Sequence, residues 1–209
     1  MIEVSDLSVH DRADQVLLDS VTLSVPAGRI VACVAHDSER RTALVRVLSG
    51  MQPISSGRVR IAGIDPSGHA LDARRHAAFI HEGGTFEGGL TLRQHVRWVL
   101  KLCGVTRSSL LTIEYALRDT DVPDDAFDRS AAELSLNLRP LTWLAIAALR
   151  AVPVIVWHDP PPLTSPVQMG IWRDRLADAR GRGVAVLVVA PDLHVARALA
   201  DDVTSLGHT

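Results

Sequence analysis

The run Ile30-Val31-Ala32-Cys33-Val34-Ala35 passes directly into His36-Asp37-Ser38-Glu39-Arg40-Arg41-Thr42-Ala43-Leu44, and this stretch constrains the fold more than any other. A continuous apolar run with no polar alternation reads as a strand covered on both faces, which is how strands of parallel sheets read. The short polar loop and helical continuation after it place a helix N-terminus at the end of that strand. Leu44, Val47, Leu48 and Met51 keep helical spacing, and Gly50 with Pro53 marks the end of the helix. Either Asp37 or Ser38 is a suitable N-cap.

A strand, tight loop and helix start present backbone N–H groups to phosphate in many α/β proteins. The pattern G-x-x-x-x-G-K-[ST] falls here on Ala35, Arg40, Arg41 and Thr42, so only the threonine is retained and arginine stands at the lysine position. The segment reads equally as a damaged phosphate cradle and as the capped start of an ordinary helix.

The same alternation of patterns continues along the chain. Ile2 and Val4, then Val16 to Val25 with Pro26-Ala27-Gly28 as a turn, predict an antiparallel hairpin region. Pro53 to Asp65 reads as a turn, an alternating strand and a glycine turn, and Ala77 to His81 as a short strand. Residues 88–138 take helical period through Leu92, Val96, Val99, Leu100, Leu110, Leu111 and Leu117, with an acidic turn-rich segment at Asp119 to Asp128, which predicts a helical lobe. Helix from Leu141, strand Val154 to Trp157, helix Ile171 to Arg182, strand Val184 to Ala190, helix His194 to Ala200 and a strand fragment Val203 to Leu206 complete the chain. Strands alternating with helices predict an α/β fold with a mostly parallel sheet, helices on both faces, an N-terminal antiparallel β region and an inserted α-helical lobe. The length suits one domain. Its expected division is a core of 1–87 and 139–209 with the lobe at 88–138.

Charge and cysteine content exclude several classes. Lys+Arg 22 against Asp+Glu 24 gives a net charge of -2 with the signs interspersed, so no nucleic-acid partner is expected. Cys33 and Cys103 lack metal spacing and read as buried small hydrophobes in a reducing compartment. The opening Met1-Ile2-Glu3-Val4 shows no signal-peptide pattern, and no apolar run reaches the roughly 18 residues of a membrane span, so a cytosolic location is expected. Trp98, Trp143, Trp157 and Trp172 are dispersed as core residues would be, with Trp98 also placed for a docking surface.

In this order and spacing the segments resemble the nucleotide-binding subunit of ATP-binding cassette (ABC) transporters, over nearly the whole chain. Leu17 to Gly28 is similar to that family's opening strand and turn, Ile54 to Gly63 to its post-helix hairpin, and Leu90-Thr91-Leu92-Arg93-Gln94-His95-Val96 to its entry into the helical lobe. Ala190-Pro191-Asp192-Leu193 and Ala198 to Val203 are similar to its late "THDL…LADRV" run.

The resemblance implies a nucleotide site, and the chain departs from it at almost every corner. The implied nucleotide-binding positions are Ser38, Arg40, Arg41, Thr42 and Ala43, and the implied Mg²⁺ positions are Thr42, Glu82 and Asp159. Glycines that free loop N–H groups are replaced by residues with a Cβ, and the planar guanidinium of Arg41 is no equivalent of an ammonium. The signature "LSGGQ" reads Leu134-Ser135-Leu136-Asn137-Leu138 and keeps only Ser135, with Pro140 tolerable only in the first turn of the following helix. Two registers are open at His158-Asp159-Pro160. One puts Asp159 at the metal position and Pro160 at the general base; the other puts His158 at the metal and Asp159, one methylene short, at the base. Either implies severe loss of hydrolysis, since general-base assistance is worth about 10²–10⁴-fold. The switch histidine falls on Pro191, with His194 nearby reading as a surface residue, and no aromatic stands near His10 and Asp11 to stack on adenine. No catalytic residue is therefore expected, apart from Asp159 under the second register, and ATP with Mg²⁺ is expected to bind weakly or not at all.

The implied partners are a separate ABC transmembrane subunit and a second cassette, as homo- or heterodimer, at the inner face of the cell membrane. Three functional readings stay open: a degenerate subunit working by pairing, a weakly active ATPase energising transport, and a soluble regulatory or scaffold pseudo-ATPase.

Overall fold

The computed structural model describes residues 1–81, 86–106, 108–161 and 165–206. Two sheets form its frame. The N-terminal strands β1 (Ile2–His10) and β2 (Val16–Val25) make an antiparallel pair, and the strand β3 (Ile30–Val34) follows the turn at Gly28. After helix α1 (Ser38–Leu48), β4 (Ser56–Ile61) returns to pair antiparallel with β1, giving a three-stranded sheet in the order β2-β1-β4. Helix α2 (Ala70–His76) leads into β5 (Ala77–His81). Helices α3 (Leu92–Leu102) and α4 (Leu110–Asp119) come next, then two single 3-10 turns, then α5 (Leu138–Leu149). β6 (Val154–His158), α6 (Pro166–Gly181), β7 (Ala185–Ala190), α7 (Leu193–Leu199) and β8 (Asp202–Ser205) close the fold. The second sheet has five strands in the order β5-β6-β7-β3-β8, every adjacent pair parallel.

Residue alternation on the central strands explains the layering. In β3, β6 and β7 every residue is buried, as the unbroken apolar runs require. Ile30, Ala32, Val34, Ile155, Trp157, Val186 and Val188 face a core shared with α3 to α7. Val31, Cys33, Val154, Val156, Leu187 and Val189 face a second core, filled by α1 and the inner face of the antiparallel sheet. Trp157 and Trp172 meet edge to face at 5.4 Å inside the first core. Burial pushes the Cys33 thiol up to about 12, in keeping with its role as a packed hydrophobe.

Two local features depart from the expected pattern. Helix α2 was not legible: its only buried residue is Ala73 and its N-cap residue, His69, makes no side-chain cap bond. Helices α5 and α6 begin earlier than their apolar spacing indicates, at Leu138 and at Pro166, where Ser165 caps α6 by accepting from Gln168 N–H. Pro140 falls in the first turn of α5, where no ladder bond is lost.

Parallel alignment brings the C-terminal ends of β3, β5, β6 and β7 to one edge. Such an edge is where open α/β sheets place their ligand sites. The loop after Val34, the turn after His158 and the segment after Ala190 therefore converge there.

Candidate functional site

The loop between β3 and α1 is anchored at its start by the Ala35 N–H, which donates to Ala190 O at 3.2 Å. Asp37 is the N-cap of α1: its carboxylate accepts from Glu39 N–H at 2.8 Å, and its carbonyl from Arg41 N–H at 3.3 Å. A carboxylate thus stands at the helix N-terminus, the position at which a phosphate draws on unsatisfied donors and the positive end of the dipole. His36, Asp37, Ser38 and Glu39 are exposed.

Arg41 turns inward rather than toward solvent. Its Nη1 donates to Ala35 O at 2.7 Å and to His36 O at 2.8 Å. Its Nε donates to Asp159 Oδ1 at 2.5 Å and Nη2 to Asp159 Oδ2 at 3.3 Å, a fork-on-carboxylate pairing. The arginine side chain is 8% exposed and the aspartate 25%. The guanidinium therefore closes the loop on itself and ties it to the end of β6, 118 positions away.

Asp159 adopts φ 47°, in the left-handed region that Asp tolerates better than most residues, and its N–H donates to Val189 O at 3.0 Å. His158, the last residue of β6, is buried; its Nε2 lies 3.4 Å from Asp159 Oδ2 and its ring centroid 4.8 Å from that of His81, its register partner on β5. Burial pulls the His158 pKa below its ordinary value, with His81 and Arg41 adding to the shift and Asp159 opposing it. Pro160 and Pro161 are buried behind this turn.

The other expected positions scatter. Arg40 reaches away from the loop, donating from Nη2 to Leu206 O at 2.8 Å. Ala43 is packed in the second core. Thr42 is half-buried, and with Ser38, Glu39, Asp11, Leu17 and Arg46 it lines an open cavity of about 320 Å³ beside α1, carrying two carboxylates against one guanidinium. Asp11 is held in its turn by accepting from Ala13 and Gln15 N–H, both at 2.8 Å. Glu82 lies outside the described residues. Ser135 is exposed at the start of α5, and the N-cap residue Asn137 makes no side-chain cap bond. At the Pro191 position the neighbouring Asp192 caps α7, accepting from Val195 N–H at 2.9 Å, and His194 is exposed on that helix.

The structure therefore brings together Arg41 and Asp159, with His158 and His81 behind them, and leaves Ser38, Arg40, Ala43 and Ser135 apart. Sequence reasoning singled out Arg41 and Asp159 for separate roles and missed their pairing. Its one available signal is the exchange of lysine for a forked donor opposite a strand-end carboxylate. The His81–His158 contact has a plainer signal, since both parallel strands end in histidine.

A strand–loop–helix unit at the C-terminal edge of a parallel sheet, with an antiparallel sheet on one face and a helical lobe between β5 and β6, is a P-loop NTPase-like α/β fold. Known proteins narrow this further. The chain is 28% identical to the nickel import ATP-binding protein NikD of Brucella suis, over 96% of this chain and 80% of that protein. It is 27% identical to the phosphonates import ATP-binding protein PhnC of Hyphomonas neptunium, over 89% and 76%. Against ATP-binding cassette sub-family A member 7 of Rattus norvegicus it is 26% identical over 87% of the chain, which spans only 8% of that protein. Solved structures agree: the ATP-binding subunit of an ABC transporter superposes with TM-score 0.82 at 21% identity, covering 98% of this chain and 85% of that one. The dimeric bacterial ABC transporter cassette MJ0796 gives 0.80 at 17%, covering 99% and 95%. No family model matches the chain. The relatives and structural neighbours of the chain are thus ATP-binding subunits of ABC transporters.

Proposed function

We propose that this cassette is a subunit with a degenerate nucleotide site, impaired in hydrolysis, that works by pairing with an intact cassette and by docking a separate membrane subunit from the cytoplasmic face. The observation that carries the reading is the Arg41–Asp159 bridge: the cation at the lysine position and the carboxylate at the strand end neutralise each other instead of facing a ligand. ATP with Mg²⁺ fits this arrangement poorly. The guanidinium sits across the loop carbonyls, the Asp37 carboxylate stands at the helix N-terminus, and the adjoining cavity carries Asp11 and Glu39, which repel phosphate. Under the register that puts Asp159 at the metal position, buried Pro160 stands where the general base would be. Support for docking comes from the lobe, where Trp98 on α3 is 41% exposed beside His95, and Leu102 at the end of the same helix is exposed. Among the described residues no helix is long and apolar enough to cross a membrane.

The test is steady-state ATP turnover of the purified chain, alone and with proteins recovered by affinity purification from detergent-solubilised membranes. The reading expects turnover at background for the chain alone and co-purification of a polytopic membrane protein with a second cassette. Turnover at the level of intact cassettes, abolished by Asp159→Ala, would refute it.

A further inference from the structure

We propose that Arg41 is a built-in ligand of its own loop: its guanidinium locks the segment from Ala35 to Arg41 closed, so that order in this loop depends on the Arg41–Asp159 bridge and not on any bound molecule. The inference rests on the degenerate-site reading and deepens it by naming what occupies the site.

The geometry is that of a ligand rather than of a surface ion pair. Four hydrogen bonds leave one guanidinium, two to loop carbonyls and two to a single carboxylate. Surface arginines such as Arg29, whose bridge to Asp202 joins side chains 48% and 56% exposed, hold nothing else in place. Arg41 instead joins two separate segments of the chain: the loop after β3, through the carbonyls of Ala35 and His36, and the turn after β6, through the carboxylate of Asp159, which sits at φ 47°. A residue kept in that region persists when its surroundings over-determine it, and the carboxylate held by the fork together with the Asp159 N–H bond to Val189 O does so. Fork geometry is essential, because a compact ammonium on a flexible stem does not reproduce two parallel bonds to a carboxylate while also spanning two carbonyls.

Hydrogen exchange on the full chain tests the lock. The readouts are the Arg41 Nε–H and the backbone amides of Glu39 and Arg41, with amides of β6 and β7 as the measure of global stability. In the wild type without ligand, all three loop protons are expected to exchange at least tenfold more slowly than in Arg41→Met (for the two amides) and in Asp159→Asn (for all three), while β6 and β7 stay protected in every protein. Loop protons that exchange at unstructured rates in the wild type, or amides equally protected in both variants, would overturn the lock; the wild-type measurement decides even if a variant fails to fold. Adding MgATP to the wild type separates the two claims. A further gain in protection on addition refutes the degenerate-site reading and leaves the lock standing, whereas no change supports both.

Discussion

Neutralising both halves of the Arg41–Asp159 bridge should cost less than the sum of neutralising each alone. Asp159→Asn keeps the left-handed backbone position, because Asn tolerates it, and so isolates the loss of charge from backbone strain. It leaves a guanidinium 8% exposed with no counter-charge. Breaking a buried pair from one side costs about 3–5 kcal/mol; since the aspartate side is a quarter open to water, about 2–3 kcal/mol is the appropriate figure here. Arg41→Met keeps the apolar stem but removes the donors to Ala35 O and His36 O, for a loss of about 2 kcal/mol. If the effects were independent, the double variant would lose about 4–5 kcal/mol, the sum of the two. With both charges gone, neither is stranded, and the double variant is expected to lose no more than about 2–3 kcal/mol, a coupling of about 2 kcal/mol. Urea unfolding followed by far-UV circular dichroism gives the four stabilities, with equal m-values confirming that the shifts in midpoint are shifts in stability. Additivity within about 0.5 kcal/mol would show that the two groups do not form a unit, and the account of the loop given above would fail with it.

Further outcomes follow from the same structure. Asp37→Ala removes the only side-chain cap of α1 and should lower stability by about 1 kcal/mol in the same urea assay. Gly57→Ala, where a Cβ would meet Asp6 O at 2.4 Å at φ 90°, should cost several times more than Gly63→Ala, which has φ 81° and nothing within 4 Å and should lose only the about 1–2 kcal/mol of a left-handed Cβ. Trp172→Ala, which empties a fully buried site against Trp157, should cost about 3–5 kcal/mol and be visible as a lowered melting temperature. Burial pulls both His95 and His158 below the ordinary value of 6.5, so the unfolded chain takes up protons first: stability falls as pH drops below about 6.5, and His95→Phe should flatten that slope in urea titrations between about pH 5 and 7.

Much of the frame was legible because apolar patterning is a local signal. Ile30 to Val34, Val154 to Trp157 and Val184 to Ala190 read as doubly covered strands from composition alone, and each lies in the parallel sheet. The strand β1 was legible only in part, since its buried residues run Ile2, Val4, Leu7, Val9; the alternation breaks where Asp6 takes φ 48° and the register shifts. Helix α2 left no trace because a seven-residue helix with one buried position has no periodicity to read. The site was legible residue by residue but not as an arrangement. Asp37 could be named as a cap from its neighbours, whereas the bridge of Arg41 to Asp159 spans 118 positions and no local pattern records which cation meets which carboxylate.

That division also separates the frame from the loop edge. The two cores that hold β3, β6 and β7 are filled by side chains pointing away from the loop edge, and Val34, Trp157 and Ala190 are buried whatever follows them. A change of residue in the loop after β3 or in the turn after β6 therefore removes no core contact. What this edge presents is local: the donors of helix N-termini and a strand-end carboxylate. Each of these has an internal partner here, with Asp37 on the α1 donors, Arg41 on Asp159, and Asp192 on the α7 donors. Buried or strained polar groups left unmatched cost about 1–3 kcal/mol apiece, a large part of the stability of a domain of this size. Here those groups are satisfied from within the chain itself, by the Asp37 cap, the Arg41–Asp159 bridge and the Asp192 cap.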